Sequence, residues 1–433
     1  MAACAVVALT IVGSAKPAIR GVDSSARLAM QRRLLASTPP NEPFDQKYNA
    51  SLPILAAPLH WLGELRSSAE RDRTGATVAH WNHAVLAAFL VWLYRRLRLG
   101  AGSSGRAALV CTWVTLVTSL ALPHSRDFYS ELTWCVALLV ALDYLVRALD
   151  ASSRSTWLAL GAATFVAAWV NPAVGPLWMG TAVAVAWQAR ASTESGAGRR
   201  AVVVVGLGLV LACAAQLIEN RLERGHLFDG GYGTESFRFH PAGIAGLLVS
   251  PGKGAAFFLP QVVLLVLAPS WRAWPERLRA WAGPRILGAV LLSAGLVVLY
   301  GSWWSWGGGR YFGPRFLLLP SLAGGVALGM ATARWRALAP WQRVAVWAFV
   351  LYGCAVTVLG LAVNQRYFDA CSSLSWEACH WSFVESPWWI LGRPWAEIVG
   401  LAKSRGLASV ALGSLAIAAI TARGGTRPFR RRA

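Results

Sequence analysis

The 433-residue chain is 56% hydrophobic and only 14% charged, with 23 tryptophans. That composition excludes an ordinary soluble domain, and repeated apolar runs of roughly 17–20 residues match the length that crosses a bilayer. The net charge of +21 is therefore read as basic loops meeting anionic lipid heads. No basic–aromatic motif accompanies it, so nucleic acid is not an expected partner.

The first fifteen residues, MAACAVVALTIVGSA, are apolar but short, and nothing basic precedes them, so no secretory signal is read. Apolar runs then predict twelve helices, at 1–15, 77–94, 107–123, 131–148, 156–170, 173–189, 201–219, 254–270, 285–301, 316–333, 344–363 and 406–422. The expected fold class is all-α, a polytopic membrane protein with a single integral membrane domain over 1–433. With both termini cytoplasmic, the inner segments hold 21 of the 41 Lys/Arg but 4 of the 20 Asp/Glu, about +17 inside against +4 outside. The short basic loops all fall inside, as the positive-inside rule requires. The outer features are then loop 16–76, the short loop PHSRDFYSE, the segment 219–254, the Trp/Gly-rich loop 302–315 and loop 364–405. Residues 423–433 form a basic cytoplasmic tail, and no internal repeat or soluble domain is visible.

The stretch Val22–Leu62 is the longest polar connection to precede a full span. Long connections in compact proteins usually carry function. Leu52, Leu55, Ala56, Leu59 and Leu62 follow helical spacing in it. Ser51 is placed to cap that helix, Pro53 to fit its first turn and Pro58 to bend it, so an interfacial helix is expected. Asp23 sits just beyond the first helix. It suits a general base toward a hydroxyl or amine, and equally a helix cap before Ser24-Ser25. Lys47 suits a lipid phosphate, and equally a solvated loop position.

Further along, Arg126, Asp127 and Glu131 read as an interfacial charge cluster. The segment LLVSPGKGAAFFLP, 247–260, opens a helix with Gly-Lys-Gly. Either backbone N–H groups there hold an anion, or Lys253 snorkels from a plain helix start. In SWWSWGGGRYFGPRFLLLP, 302–320, Trp303, Trp304, Trp306 and Tyr311 suit a membrane interface or a sugar-stacking surface. Arg310 and Arg315 are phosphate-pairing candidates there, because an arginine beside an apolar helix needs a partner. Cys4, Cys111, Cys135, Cys213 and Cys354 read as packing residues, whereas Cys371 and Cys379 share an outer loop where a disulfide is allowed. The seven histidines show no HExxH-like spacing, so no protein-built metal site and no cofactor are expected, with a loosely held divalent ion left open.

Four stretches, in order, resemble the GT-C class of membrane glycosyltransferases that use polyprenyl-phosphate-linked sugars, including the protein-mannosyltransferase-like and aminoarabinose-transferase-like enzymes. They are VDSSARLAMQRRLL, KYNASLPILAAPLHWLG, SRDFYSELTWCVALLVAL, and GGYGTESF through LLVSPGKGAAFFLP with WWSWGGGRYFGPRFLLLP. The resemblance implies inverting transfer of a sugar from a polyprenyl-phosphate carrier to a glycolipid, polysaccharide or protein acceptor, outside a bacterial inner membrane. It implies Asp23 as base, with Lys47, Arg27, Lys253, Arg310 and Arg315 around the donor phosphate. Glu131, Tyr232, Trp303, Trp304, Trp306 and Tyr311 would line the substrate. Where many relatives carry a second acid after the aspartate, this chain has Ser24, and the usual basic residue before Pro172 is Asn171. The alternative reading is a non-catalytic lipid-linked-saccharide transporter or an envelope polysaccharide assembly partner.

Overall fold

A computed structural model of the chain describes residues 27–31, 35, 50–66, 77–126, 128–150, 153–189, 196–228, 235–267, 276–308, 312–362, 376–382 and 410–418. Among the described residues the architecture is all-α, with no strand and one isolated bridge between Phe237 and Trp303. In chain order the helices are α1 (Ser51–Leu55), α2 (Ala57–Arg66), α3 (Trp81–Leu99), α4 (Gly105–Thr118), α5 (Ala121–His124), α6 (Glu131–Asp150), α7 (Arg154–Val170) and α8 (Gly175–Ala189). They continue with α9 (Ala197–Arg224), α10 (Pro241–Val249), α11 (Ala255–Phe258), α12 (Val263–Leu267), α13 (Glu276–Gly301), α14 (Leu318–Ala333), α15 (Pro340–Ala362) and α16 (Trp376–Trp381).

Five segments are long and apolar enough to cross a membrane: Glu131–Asp150, Ala197–Leu222, Trp281–Gly301, Arg315–Ala333 and Pro340–Leu361. Of these, α14 sits deepest, with nearly every residue from Leu318 to Ala331 buried. Its small residues allow this. A Cβ on Gly329 would come 2.5 Å from the Cys111 carbonyl oxygen of α4, so the two backbones meet through glycine. The outward faces are greasy instead of polar. Leu207, Val210, Leu211, Ile218 and Leu222 on α9 are exposed, as are Trp341, Val344 and Leu351 on α15. Apolar surface of that extent is unfavourable in water and natural against lipid tails.

Most of the expected helices appear, and the differences have physical causes. The run 254–270 is not one helix: Pro260 lacks an amide hydrogen, and the chain passes from α11 through a 3-10 turn, Pro260–Val262, into α12. The segment Pro241–Val249 is a nine-residue helix that the span-length search passes over. Ser51 is not a cap; Ala50 holds that position with no side-chain cap. The expected bend is present, at Ala56, two residues ahead of Pro58. The buried face there is Leu52, Ala56 and His60, while Leu62 is 39% exposed. Cys213, read as a packing residue, is exposed on α9, whereas Cys111 and Cys135 are buried. Helix 1–15 lies outside the described residues, and of 406–422 only 410–418 is described, as helix.

The helices alternate in direction, so one end of the bundle gathers the starts of α3, α6 and α14 with the ends of α4, α9 and α13. A small apolar cluster of Leu28, Leu52, Ala56, Val78 and Phe128 ties the first long loop to that end. Gln31 adds a side-chain hydrogen bond to the Pro53 carbonyl at 2.9 Å.

Candidate functional site

The charged candidates converge on the four residues Phe128–Glu131, between α5 and α6. Phe128 is fully buried and anchors the turn in the apolar cluster. Asn82 Nδ2 donates to the Tyr129 carbonyl at 2.9 Å, and Trp81 Nε1 to Thr133 Oγ1 at 2.9 Å, so the start of α3 fixes the turn's path. Arg27 arrives from the first loop, 8% exposed, and donates from Nη2 to Ser130 Oγ at 3.2 Å. Arg315, at the start of α14, pairs through Nε with Glu131 Oε1 at 3.3 Å and lies over the Tyr129 ring at 5.7 Å. Glu131 therefore belongs to a cation arriving from 184 positions away, where the sequence reading grouped it with Arg126. Arg126 Nη1 donates to the Leu361 carbonyl at 2.8 Å, and Asp127 lies outside the described residues.

Lys253 completes the group from the other side. It is fully buried, and its Nζ donates to the Gly313 carbonyl at 3.1 Å, so the snorkelling reading does not hold. Nor does Gly-Lys-Gly present a helix N-terminus of any length, since α11 has four residues. Burial, with Arg315 close by, pushes the Lys253 ammonium well below its ordinary range. Two histidines face the same cations. His124 at the end of α5 and His380 on α16 are both held neutral, pushed down to about 3 by burial and by Lys253. His124 Nε2 is buried without a hydrogen-bond partner.

The Trp/Gly loop forms the wall next to Lys253. Trp306 is 3% exposed and lies over Gly246 of α10, where any Cβ would strike the indole. It also meets the His380 ring edge-on, centroids 5.2 Å apart. Trp306 is thus a packing residue. Gly307 lies beneath His380, with no space for a side chain, and Gly308 takes a left-handed φ of 67°. Trp303 is held by Phe237, through the bridge and a ring contact of 4.6 Å, and Trp304 is 60% exposed. α16 docks here through Gly252, whose N–H donates to the His380 carbonyl at 3.1 Å. Cys379 beside it is disulfide-bonded to a partner outside the described residues.

Of the sequence candidates, Arg27, Glu131, Lys253 and Arg315 are brought together, with Trp303, Trp304 and Trp306 in the neighbouring wall. Asp23, Lys47, Tyr232, Arg310 and Tyr311 lie outside the described residues. Sequence reasoning missed His124, His380 and Glu219. The Glu219 carboxylate, 8% exposed at the end of α9, accepts the Ala50 N–H. An acid inside an apolar run, as in CAAQLIEN, is the signal that could have found it. Asn171, at the position where a basic residue was expected, donates to the Tyr300 hydroxyl, and Tyr300 stacks on Phe316 at 4.1 Å.

Three cations, one carboxylate and two neutral imidazoles make a group short of negative charge. An entering anion would relieve the repulsion between Lys253 and Arg315. Among the described residues, no group of three or more His, Cys, Asp or Glu is placed to hold a metal. The chain matches no protein-family model and no curated protein.

Proposed function

We propose that the chain is a GT-C-like membrane glycosyltransferase, with about twelve spans and the Glu131 end of the bundle facing outward. In this reading it moves a sugar from a polyprenyl-phosphate carrier to an outer acceptor. The observation that carries the reading is the meeting of Arg27, Lys253 and Arg315 around Tyr129–Glu131. These residues come from separate stretches of the ordered resemblance and meet at one end of an apolar bundle. A departing lipid phosphate needs such cations, since charge that develops on it is stabilised by donors already in place. The acceptor needs a carboxylate base, assigned to Asp23. Arg315 would steer the phosphate while Glu131 holds its guanidinium in position. The charge balance supports the orientation, because the opposite end carries Arg95, Arg98, Arg106, Arg154, Arg199, Arg200, Arg334 and Arg343.

The test compares outer glycans or glycolipids from cells lacking the chain, complemented with wild type or with Asp23→Asn. Restoration by wild type alone, with both proteins present in the membrane in equal amount, is the expected result. Restoration by Asp23→Asn would favour the transporter or assembly-partner reading.

A further inference from the structure

The other end of the bundle holds buried charges that the transfer reaction does not use. Asp143 on α6 accepts from Arg96 Nε at 2.7 Å and Nη2 at 3.2 Å, and from Arg285 Nε at 2.8 Å. The carboxylate is 4% exposed, and the two arginine side chains 15% and 12%. One acid thus faces two guanidinium groups that never deprotonate. Asp150 is exposed and is the weakest of the influences on Arg285. A positive surplus remains in a poorly hydrated place, where an uncompensated charge is costly.

Beside this triad is a cavity of about 90 Å³ between α3, α6, α13 and α14. Phe89, Leu139, Leu142, Ile286, Ala289 and Val326 make its apolar walls. Along each helix the charged residue lies toward the same end: Phe89 then Arg96, Leu139 then Asp143, Ala289 preceded by Arg285. The slot is therefore apolar at depth and cationic at one end. Trp92 and Trp281 also line it, and the indole N–H of each is buried without an acceptor. Buried tryptophan N–H groups normally have one.

We propose that this slot binds an anionic phospholipid. Its phosphate would be held by Arg96 and Arg285, with the indole N–H groups as further donors, and an acyl chain would enter between α3 and α13. The charge surplus, the donors without acceptors and the apolar depth each ask for one part of that molecule. The site is independent of the transfer site, so its failure leaves the glycosyltransferase reading intact.

The test uses the full chain, purified in detergent and equilibrated with mixed phosphatidylglycerol–phosphatidylcholine micelles, with retained lipid counted by native mass spectrometry. Phosphatidylglycerol should be retained in preference to phosphatidylcholine, and inorganic phosphate should fail to displace it. Arg285→Gln should weaken retention about five-fold, the effect of one cation near an anionic head. Ala289→Phe keeps every charge but fills the slot, and should lose the lipid. If that variant does not fold, Val326→Trp on the facing wall is the same test. Equal retention of phosphatidylcholine, displacement by inorganic phosphate, or undiminished retention in the filled slot would each overturn the proposal.

Discussion

The two ends of the bundle both bury arginines and treat them differently. At the Asp143 end, one carboxylate binds two guanidinium groups through short hydrogen bonds, and all three residues sit on long helices. At the Glu131 end, the single bond from Arg315 to the carboxylate is 3.3 Å long, and Lys253 finds a backbone carbonyl instead of an acid. Its residues stand on turns and helix starts. Tight pairing on rigid helices holds a fold together, whereas loosely balanced cations on short connections leave capacity for a ligand. The first arrangement should fail through stability, and the second through binding.

The largest effect expected on that comparison comes from Asp143→Ala. It strands two buried guanidinium groups and should lower stability by about 3–5 kcal/mol, read as a marked fall in thermal unfolding temperature in detergent. A variant as stable as wild type would mean the triad is not structural. Next is Gly246→Ala, which pushes a methyl group into Trp306 and should cost about 1–3 kcal/mol. Trp306→Leu, made in the same background, should recover part of that loss.

Acid should separate the ends further. His124 and His380 stay neutral down to about 3, below the ordinary value of 6.5. Their folded values are lowered, so the unfolded chain takes up protons first as pH falls. Stability is then full above 6.5 and declines toward 3, by roughly 1.4 kcal/mol per pH unit for each histidine at most. His124→Gln should flatten that slope in unfolding measured across the window, and an unchanged slope would contradict the assigned burial. The smallest stability effect belongs to Arg315→Gln, about 1 kcal/mol, because its ion pair is single and partly solvated. A loss as large as that of Asp143→Ala would erase the distinction between the ends.

Much of the bundle was legible because span-length apolar runs leave little choice of structure: Glu131–Asp150 and Trp281–Gly301 fall where hydropathy places them. Pro241–Val249 was not, since nine residues cannot span and its packing partner, the end of α13, is some fifty positions away. The site was legible by residue type and not by pairing. Arg315, Lys253 and Arg27 stood out as cations beside apolar segments. Nothing local says that Arg315 meets Glu131, or that Lys253 is buried beneath His380's helix. The triad had a visible cue, Asp143 inside the run VALLVALDYLV, where an acid needs a partner. The partner itself depends on how α3 and α13 flank α6, which periodicity does not encode.

The central claim is that the Glu131 end is built to hold a lipid-linked phosphate. It is tested most directly by binding of a polyprenyl phosphate to the purified chain, comparing wild type with Lys253→Gln and Arg315→Gln. The account predicts saturable binding by wild type and a loss of roughly ten-fold or more in each variant, the effect of removing one charged hydrogen bond. Absence of binding in wild type, or equal affinity in all three folded proteins, would contradict it.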